Sequence, residues 1–133
     1  MSEPRVFDSW AVLAFLNNEP SAEKVEKLIL SSRQEEKAML ITVVNLGEIW
    51  YSIARTRSET LADIKIDELG STGFLAVEVD WELTYQAARF KSKYKLSYAD
   101  CFAAALAKVH NVQLITGDRA FKQLQGEVKI LWL

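Results

Sequence analysis

The fold class follows from residues 96–121, LSYADCFAAALAKVHNVQLITGDRAF. Residues 97–110 have the length and the apolar spacing of a helix, and residues 112–116 form a short apolar run typical of a strand. Gly117 and Asp118 then predict a turn. A helix that leads directly into a strand is typical of α/β domains, in which crossover helices connect parallel strands.

The same alternation of helix and strand runs through the rest of the chain. The predicted strands are 5–7, 38–42, 75–79, 112–116 and 128–131, and the predicted helices are 9–16, 21–32, 43–55, 59–69, 81–94 and 97–110. We therefore predict an α/β fold with a single domain, residues 1–133. Its central, mostly parallel sheet of about five strands should carry helices on both faces.

Composition and charge exclude several classes of function. Sixteen Lys and Arg residues against eighteen Asp and Glu residues give a net charge of −2, so any affinity for RNA must come from a local patch. A single cysteine, Cys101, cannot form a disulfide within the chain, and with only one histidine, His110, the composition disfavours a zinc site. Residues 1–7 lack the features of a signal peptide and no apolar run is long enough to span a bilayer, so we expect a cytoplasmic protein without membrane contact.

Three carboxylates each stand alone in a long uncharged stretch: Asp8 in 6–18, Glu48 in 38–54 and Asp100 in 96–107. A carboxylate within apolar sequence needs a hydrogen-bond donor, a cation or a cleft. The side of the helix that carries Asp100 is also lined by small uncharged residues, namely Ala103, Ala104 and Ala107. A purely solubilising role explains Asp100 poorly.

Each acidic residue also has an ordinary structural explanation. Asp8 and Asp118 follow predicted strands and could cap the segments after them. Ser97 and Asp100 have the spacing of a helix capping box, at whose last position Glu or Gln is more usual. The alternative is strongest for Glu48, because polar neighbours on its helical face favour an ordinary solvated side. These neighbours are Asn45, Ser52 and Arg55.

The predicted topology brings the acidic residues towards one edge of the sheet. Asp8 and Asp118 follow the first and fourth strands, Asp100 lies in the first turn of the helix before the fourth strand, and Glu48 lies in the helix after the second. Open parallel sheets bind ligands at this carboxyl edge, where the strand order reverses. Several carboxylates without His or Cys favour Mg²⁺ or Mn²⁺ over zinc or copper.

At these residues the chain resembles the PIN domain family, and specifically the VapC-type toxin ribonucleases of toxin–antitoxin pairs. The resemblance covers nearly the whole chain and rests on the order and spacing of four segments. They are VFDS at 6–9, NLGE at 45–48, LSYAD at 96–100 running into the alanines at 103–105, and TGDRAF at 116–121.

The resemblance implies a PIN-like fold and a metal-dependent endoribonuclease that hydrolyses RNA phosphodiester bonds. It implies that the catalytic, metal-holding quartet is Asp8, Glu48, Asp100 and Asp118, with Mg²⁺ or Mn²⁺ as the cofactor. The supporting residues would be Ser9, Asn45, Ser97 and Thr116. The implied partners are an RNA substrate, a cognate antitoxin protein and a second copy of the chain in a homodimer.

Basic residues near the predicted site are candidates for RNA-backbone contacts: Arg55, Arg57, Arg89, Lys91, Lys93, Lys95 and Arg119. Any one of them could instead simply solvate the end of a helix. We assign the four tryptophans mainly to core or interface packing. They are Trp10, Trp50, Trp81 and Trp132.

Two other functions remain open. A receiver-like signalling module also gathers carboxylates and Mg²⁺ at the carboxyl edge of a parallel sheet, but it usually has an adjacent acidic pair early in the chain. Here Asp8 is followed by Ser9 and Trp10, which disfavours that interpretation. A non-catalytic PIN-like domain that binds RNA or a protein partner is the second alternative.

Overall fold

The fold was derived from a computed structural model that describes residues 3–133, so the first two residues of the predicted domain lie outside it. The strands are β1 (Arg5–Phe7), β2 (Met39–Thr42), β3 (Phe74–Val77), β4 (Leu114–Thr116) and β5 (Ile130–Trp132). The helices are α1 (Ser9–Leu16), α2 (Ala22–Gln34), α3 (Val43–Thr56), α4 (Glu59–Thr72), α5 (Trp81–Lys93) and α6 (Tyr98–His110), followed by a 3₁₀ helix (Arg119–Leu124). The predicted α/β fold is confirmed.

The five strands form one sheet in the order β3-β2-β1-β4-β5, and all four strand pairs are parallel. The chain moves outward from β1 through β2 to β3 and then crosses to the other side of β1 for β4 and β5. The strand order therefore reverses between β1 and β4, where Phe7 pairs with Ile115. This is the edge at which the sequence predicted the site.

Each face of the sheet buries its own hydrophobic cluster. Because strand side chains alternate, Val6 and Leu114 join a cluster with α5, α6 and the 3₁₀ helix, whereas Phe7 and Ile115 join a cluster with α1 to α4. Helices thus cover both faces, as predicted. Within the described residues, no helix combines the length and the apolar character needed to cross a bilayer.

The helices and strands begin and end within about three residues of the predicted positions, and two of the differences have a clear structural reason. The helix predicted at 59–69 continues through Gly70 to Thr72 and ends at Gly73, whose φ of +114° is a left-handed conformation that glycine adopts easily. The strand predicted at 75–79 covers Phe74–Val77 instead, because it pairs residue for residue with β2, which ends at Thr42.

Two of the four tryptophans lie outside the core, so of the predicted core or interface packing only an interface role stays open for them. Trp81 is 73% exposed and Trp10 is 36% exposed. Trp50 and Trp132 are half-buried and pack against the two hydrophobic clusters, as predicted. Trp10 and Trp81 therefore need a different explanation from the other two.

Candidate active site

A cleft of about 200 Å³ opens beyond the carboxyl ends of β1 and β4. Three of the four predicted carboxylates line it, namely Glu48, Asp100 and Asp118. The other lining residues are Ser9, Trp10, Leu13, Ser52 and Ser97. The fourth carboxylate, Asp8, directly follows β1 and is only 1% exposed.

A larger cavity of about 560 Å³ lies elsewhere, between α1, α2 and α4. Phe15, Arg33 and Asp67 are among the residues that line this cavity, whereas the four predicted carboxylates do not line it. We assign the smaller cleft as the candidate site, because it collects the acidic residues at the point where the strand order reverses.

Both carboxylate oxygens of Asp8 are held by donors. Oδ1 accepts a hydrogen bond from the backbone N–H of Ala11 at 2.8 Å, so Asp8 caps α1. Oδ2 accepts a bond from the Thr116 hydroxyl at 2.5 Å, which joins β1 to β4. Burial raises the pKa of Asp8 to about 7, the two hydrogen bonds oppose the rise, and the charges of Asp100 and Asp118 add to it.

Asp118 is positioned by the turn that follows β4. Its backbone N–H donates to the Thr116 hydroxyl oxygen at 3.0 Å, and its Oδ1 accepts from the N–H of Ala120 at 2.9 Å. Asp118 therefore caps the 3₁₀ helix, which was the alternative explanation from the sequence. The Thr116 hydroxyl connects this turn to the Asp8 carboxylate.

The first turn of α6 brings Asp100 to the cleft. The Ser97 hydroxyl accepts from the backbone N–H of Asp100 at 3.1 Å, so Ser97 caps this helix. Burial raises the pKa of Asp100 to about 6; the charge of Asp118 adds to the rise, Ser97 opposes it, and Glu48 adds to it further. The sequence indicated that the side of this helix that carries Asp100 is covered by other parts of the protein. This is confirmed, because Ala103, Ala104 and Ala107 on that side are buried.

Glu48 is half-buried, and its Oε1 is a buried oxygen without a hydrogen-bond partner among the described residues. The sequence favoured a solvated helical face for Glu48. This interpretation is wrong at Asn45, which shares that face and is completely buried. Arg55 on the same face is exposed. A buried carboxylate oxygen without a donor is unfavourable unless a cation reaches it.

Asn45 ties together three of the helices around the cleft. Its Nδ2 donates to the Ser9 hydroxyl and to the backbone oxygen of Ala99, both at 3.1 Å. Its Oδ1 accepts from the Thr42 hydroxyl at 2.5 Å. These bonds join α1, α3 and α6 one turn away from Glu48, so Asn45 fixes the spacing of the helices beside the carboxylates.

All seven predicted RNA-contacting residues are exposed, and three of them also have partners within the chain. Lys91 donates to the backbone oxygen of Leu96 at 2.7 Å. The guanidinium of Arg55 lies 5.1 Å from the centre of the Tyr51 ring, and that of Arg119 lies 4.7 Å from the Trp132 ring. Among the described residues that line the cleft, none belongs to these seven, so their role stays a prediction.

We expect Asp100→Asn to stabilise the metal-free protein at pH 8. The pKa of Asp100 is raised in the folded state, so its charged form destabilises the fold above that pKa; the effect fades as the pH falls and disappears below about pH 3, where the side chain is protonated in both the folded and unfolded states. After allowance for solvent screening, the gain should be roughly 1–2 kcal/mol, or roughly 3–6 °C in Tm.

Thermal unfolding in EDTA at pH 8 and at about pH 3 measures this difference. A variant less stable than the wild type at pH 8 would instead assign Asp100 a structural role in the first turn of α6.

The fold and the site can be compared with known proteins. A sequence model of the PIN domain matches residues 5–127. VapBC2 from Rickettsia felis bound to a promoter DNA fragment is similar in structure, with a TM-score of 0.76, 14% identity and 98% of each chain covered. VapC20 from Mycobacterium tuberculosis, a toxin that cleaves the sarcin-ricin loop, has a TM-score of 0.73 and 18% identity, and the match covers 94% of this chain and 97% of that one.

A toxin–antitoxin complex from Klebsiella pneumoniae has a TM-score of 0.66 and 17% identity, with 96% of this chain and 95% of that chain covered. At these identities the structural likeness concerns the fold alone. A search of curated proteins found no match.

Proposed function

This chain belongs to the PIN domain family, and from its acidic cleft we propose that it is a metal-dependent endoribonuclease, the toxin of a toxin–antitoxin pair. The observation that carries the proposal is the gathering of acidic side chains where the strand order reverses, with one buried Glu48 oxygen that has no donor within residues 3–133. We propose Asp8, Glu48, Asp100 and Asp118 as its catalytic and metal-holding residues.

The residues present fit a hard divalent cation. Among the described residues, no three Asp, Glu, His or Cys side chains are arranged as a ready-made metal site. Yet the pKa values of Asp8 and Asp100 are raised, mainly by burial and further by neighbouring carboxylates, and Glu48 Oε1 has no donor. Both features are expected of oxygen ligands that lack their counterion, and such ligands suit Mg²⁺ or Mn²⁺.

When bound, Mg²⁺ or Mn²⁺ would neutralise the charge of a phosphodiester and lower the pKa of an attacking water. The chain's own residues supply the arrangement. Ala11 and Thr116 hold the Asp8 carboxylate in one orientation through two hydrogen bonds. Asn45 keeps α1, α3 and α6 at a fixed spacing, so the carboxylates need little reorganisation when substrate arrives.

RNA is the proposed substrate, and the similar VapC20 toxin is described as cleaving the sarcin-ricin loop. An antitoxin is the proposed protein partner, because similar folds occur in VapBC and toxin–antitoxin complexes. We place this activity in the cytoplasm, where its RNA would be found. The domain that performs it is proposed to be the whole chain, residues 1–133.

Incubation of the purified protein with a mixed RNA pool tests this function. Cleavage products should form with Mg²⁺ or Mn²⁺, disappear with EDTA and return when the ion is restored in excess. A receiver-like module or a non-catalytic PIN-like domain would produce no fragments under any of these conditions. Fragments that persist in EDTA would also contradict the proposal.

We also predict a homodimer. The N-terminal part of α5 exposes two large aromatic side chains, Trp81 and Tyr85, whose ring centres are 6.0 Å apart. Burial of exposed apolar surface is a common reason for symmetric pairing. Light scattering at micromolar concentration should give twice the monomer mass of 15.1 kDa. A monomer mass under those conditions would contradict the prediction.

A further inference from the structure

Trp10 places an exposed indole on the wall of a carboxylate cleft. It is the second residue of α1, it is 36% exposed, and it lines the cleft together with Glu48, Asp100 and Asp118. Trp81 is more exposed, but it is not among the residues that line this cleft. An apolar ring at a site built from charges is unexplained by core packing.

The indole packs closely against the backbone at Gly117. A Cβ atom at residue 117 would lie 2.3 Å from both Cη2 and Cζ3 of Trp10 and 2.9 Å from Cε3. The six-membered ring therefore rests against the backbone between Thr116 and Asp118. Of the described glycines, Gly73 alone has a positive φ, so residue 117 is glycine because the indole needs the space and not because of its backbone conformation.

We propose that Trp10 is the stacking platform for an unpaired nucleobase of RNA beside the phosphodiester that the acidic cleft holds. This inference rests on the proposed ribonuclease function. Single-stranded RNA is commonly bound by stacking of its bases on aromatic side chains, and stacking tolerates any base because each has a π face. A ring that already packs against the backbone loses little conformational entropy when a base stacks on it.

The protein and its cleft are negatively charged, so a contact that does not depend on charge is important for RNA affinity at this site. The chain carries a net charge of −2, and the cleft itself is lined by three carboxylates, so electrostatic attraction alone gives RNA little affinity there. Stacking on Trp10 adds affinity that does not depend on phosphate charge. It also places the base, and with it the adjoining phosphodiester, next to the carboxylates.

The test measures binding of a mixed-sequence single-stranded RNA decamer in Mg²⁺, with every protein in the Asp100→Asn background so that the RNA stays uncut. We expect Trp10→Leu to weaken binding by roughly 5- to 150-fold and Trp10→Tyr to retain most of it. Trp81→Leu is the matched control for loss of an exposed indole outside the cleft; compared at a protein concentration at which light scattering gives both variants the same mass, it should leave binding unchanged. An abasic decamer with the same phosphates should bind equally to the protein that keeps Trp10 and to the Trp10→Leu variant.

Two further readouts separate stacking from a structural role. With Asp100 restored, Trp10→Leu should raise KM for RNA cleavage more than it lowers kcat. Intact RNA, but not the abasic decamer, should quench tryptophan fluorescence when Trp10 is present, and this measurement needs no variant that might fail to fold.

If intact RNA binds equally with and without the Trp10→Leu substitution while the wild type still cleaves RNA, the stacking inference is wrong and the proposed ribonuclease function stands. A change of oligomeric state in Trp10→Leu with unchanged RNA binding would assign Trp10 to a protein interface and overturn it as well. If the wild type neither cleaves nor binds RNA, the proposed function fails and the inference fails with it.

Discussion

Replacing Asp100 by asparagine will lower RNA cleavage at least about 100-fold, because even the outer partners of metal ligands commonly contribute 10–100-fold. Asparagine keeps the shape of the side chain and removes its negative charge. The backbone N–H of Asp100 still donates to Ser97, so the cap of α6 survives the substitution. A loss of activity would therefore reflect the missing carboxylate charge and not a disrupted helix.

Asp8→Asn should have an effect of the same size. The amide oxygen can still accept from Ala11, so the cap of α1 is retained, while the charge is lost. Asp67→Asn is the matched control, because Asp67 is an exposed carboxylate on α4 outside the cleft. Initial rates in Mg²⁺ and far-UV circular dichroism measure activity and fold. Wild-type rates in either cleft variant would remove that residue from the site.

Production of the chain alone should stop the growth of bacterial cells, and co-production of the product of the neighbouring gene should restore it. The first effect follows from the proposed ribonuclease activity. The second follows from charge: the cleft has three lining carboxylates and a Glu48 oxygen without a donor in the part of the chain that the structure describes, and such a cleft favours binding of a guanidinium. Arginine binds carboxylates through two parallel hydrogen bonds, so an inserted arginine would displace both the metal and the RNA phosphate.

Growth curves of three cultures measure this result: the wild-type chain alone, the wild-type chain with its partner, and the Asp8→Asn chain alone. The first should stop growing, whereas the second and third should grow normally. Equal growth of all three would contradict the toxin proposal. Arrest by the Asp8→Asn chain would show that toxicity does not depend on the acidic cleft.

The sequence predicted the parts of the site that depend on the order of helices and strands. Asp8 directly follows an apolar run and Asp118 follows another after one glycine, and a parallel sheet brings the carboxyl ends of such runs to one edge. The structure confirms this, since β1 and β4 are neighbours and the Asp8 carboxylate is bonded to Thr116. Asp100 was found because it is isolated among small uncharged residues that proved to be buried.

Helical periodicity could not predict the surroundings of Glu48. It shows which residues share a face of α3, but it does not show whether that face meets water or other polar groups of the protein. Asn45 is polar and buried because its partners, Ser9 and Ala99, lie on two other helices. The sequence did contain one indication of this arrangement: the polar Asn45 lies one helical turn before the isolated Glu48. Periodicity also could not place Trp10 at the cleft, because its position there follows from its packing against Gly117, which is distant in the sequence.

The hydrogen bond between Thr116 and Asp8 spans 108 residues of the chain, and this has a consequence for the cell that makes the protein. At ribosomal speeds, roughly 5–20 s pass between synthesis of Asp8 and synthesis of Thr116. During that interval the nascent chain lacks β4 and Asp118, so it holds no complete cleft. If the proposed function holds, the chain therefore has no complete active site until nearly all of its residues have been synthesised, and an antitoxin that is already present would bind each new molecule as soon as its cleft forms.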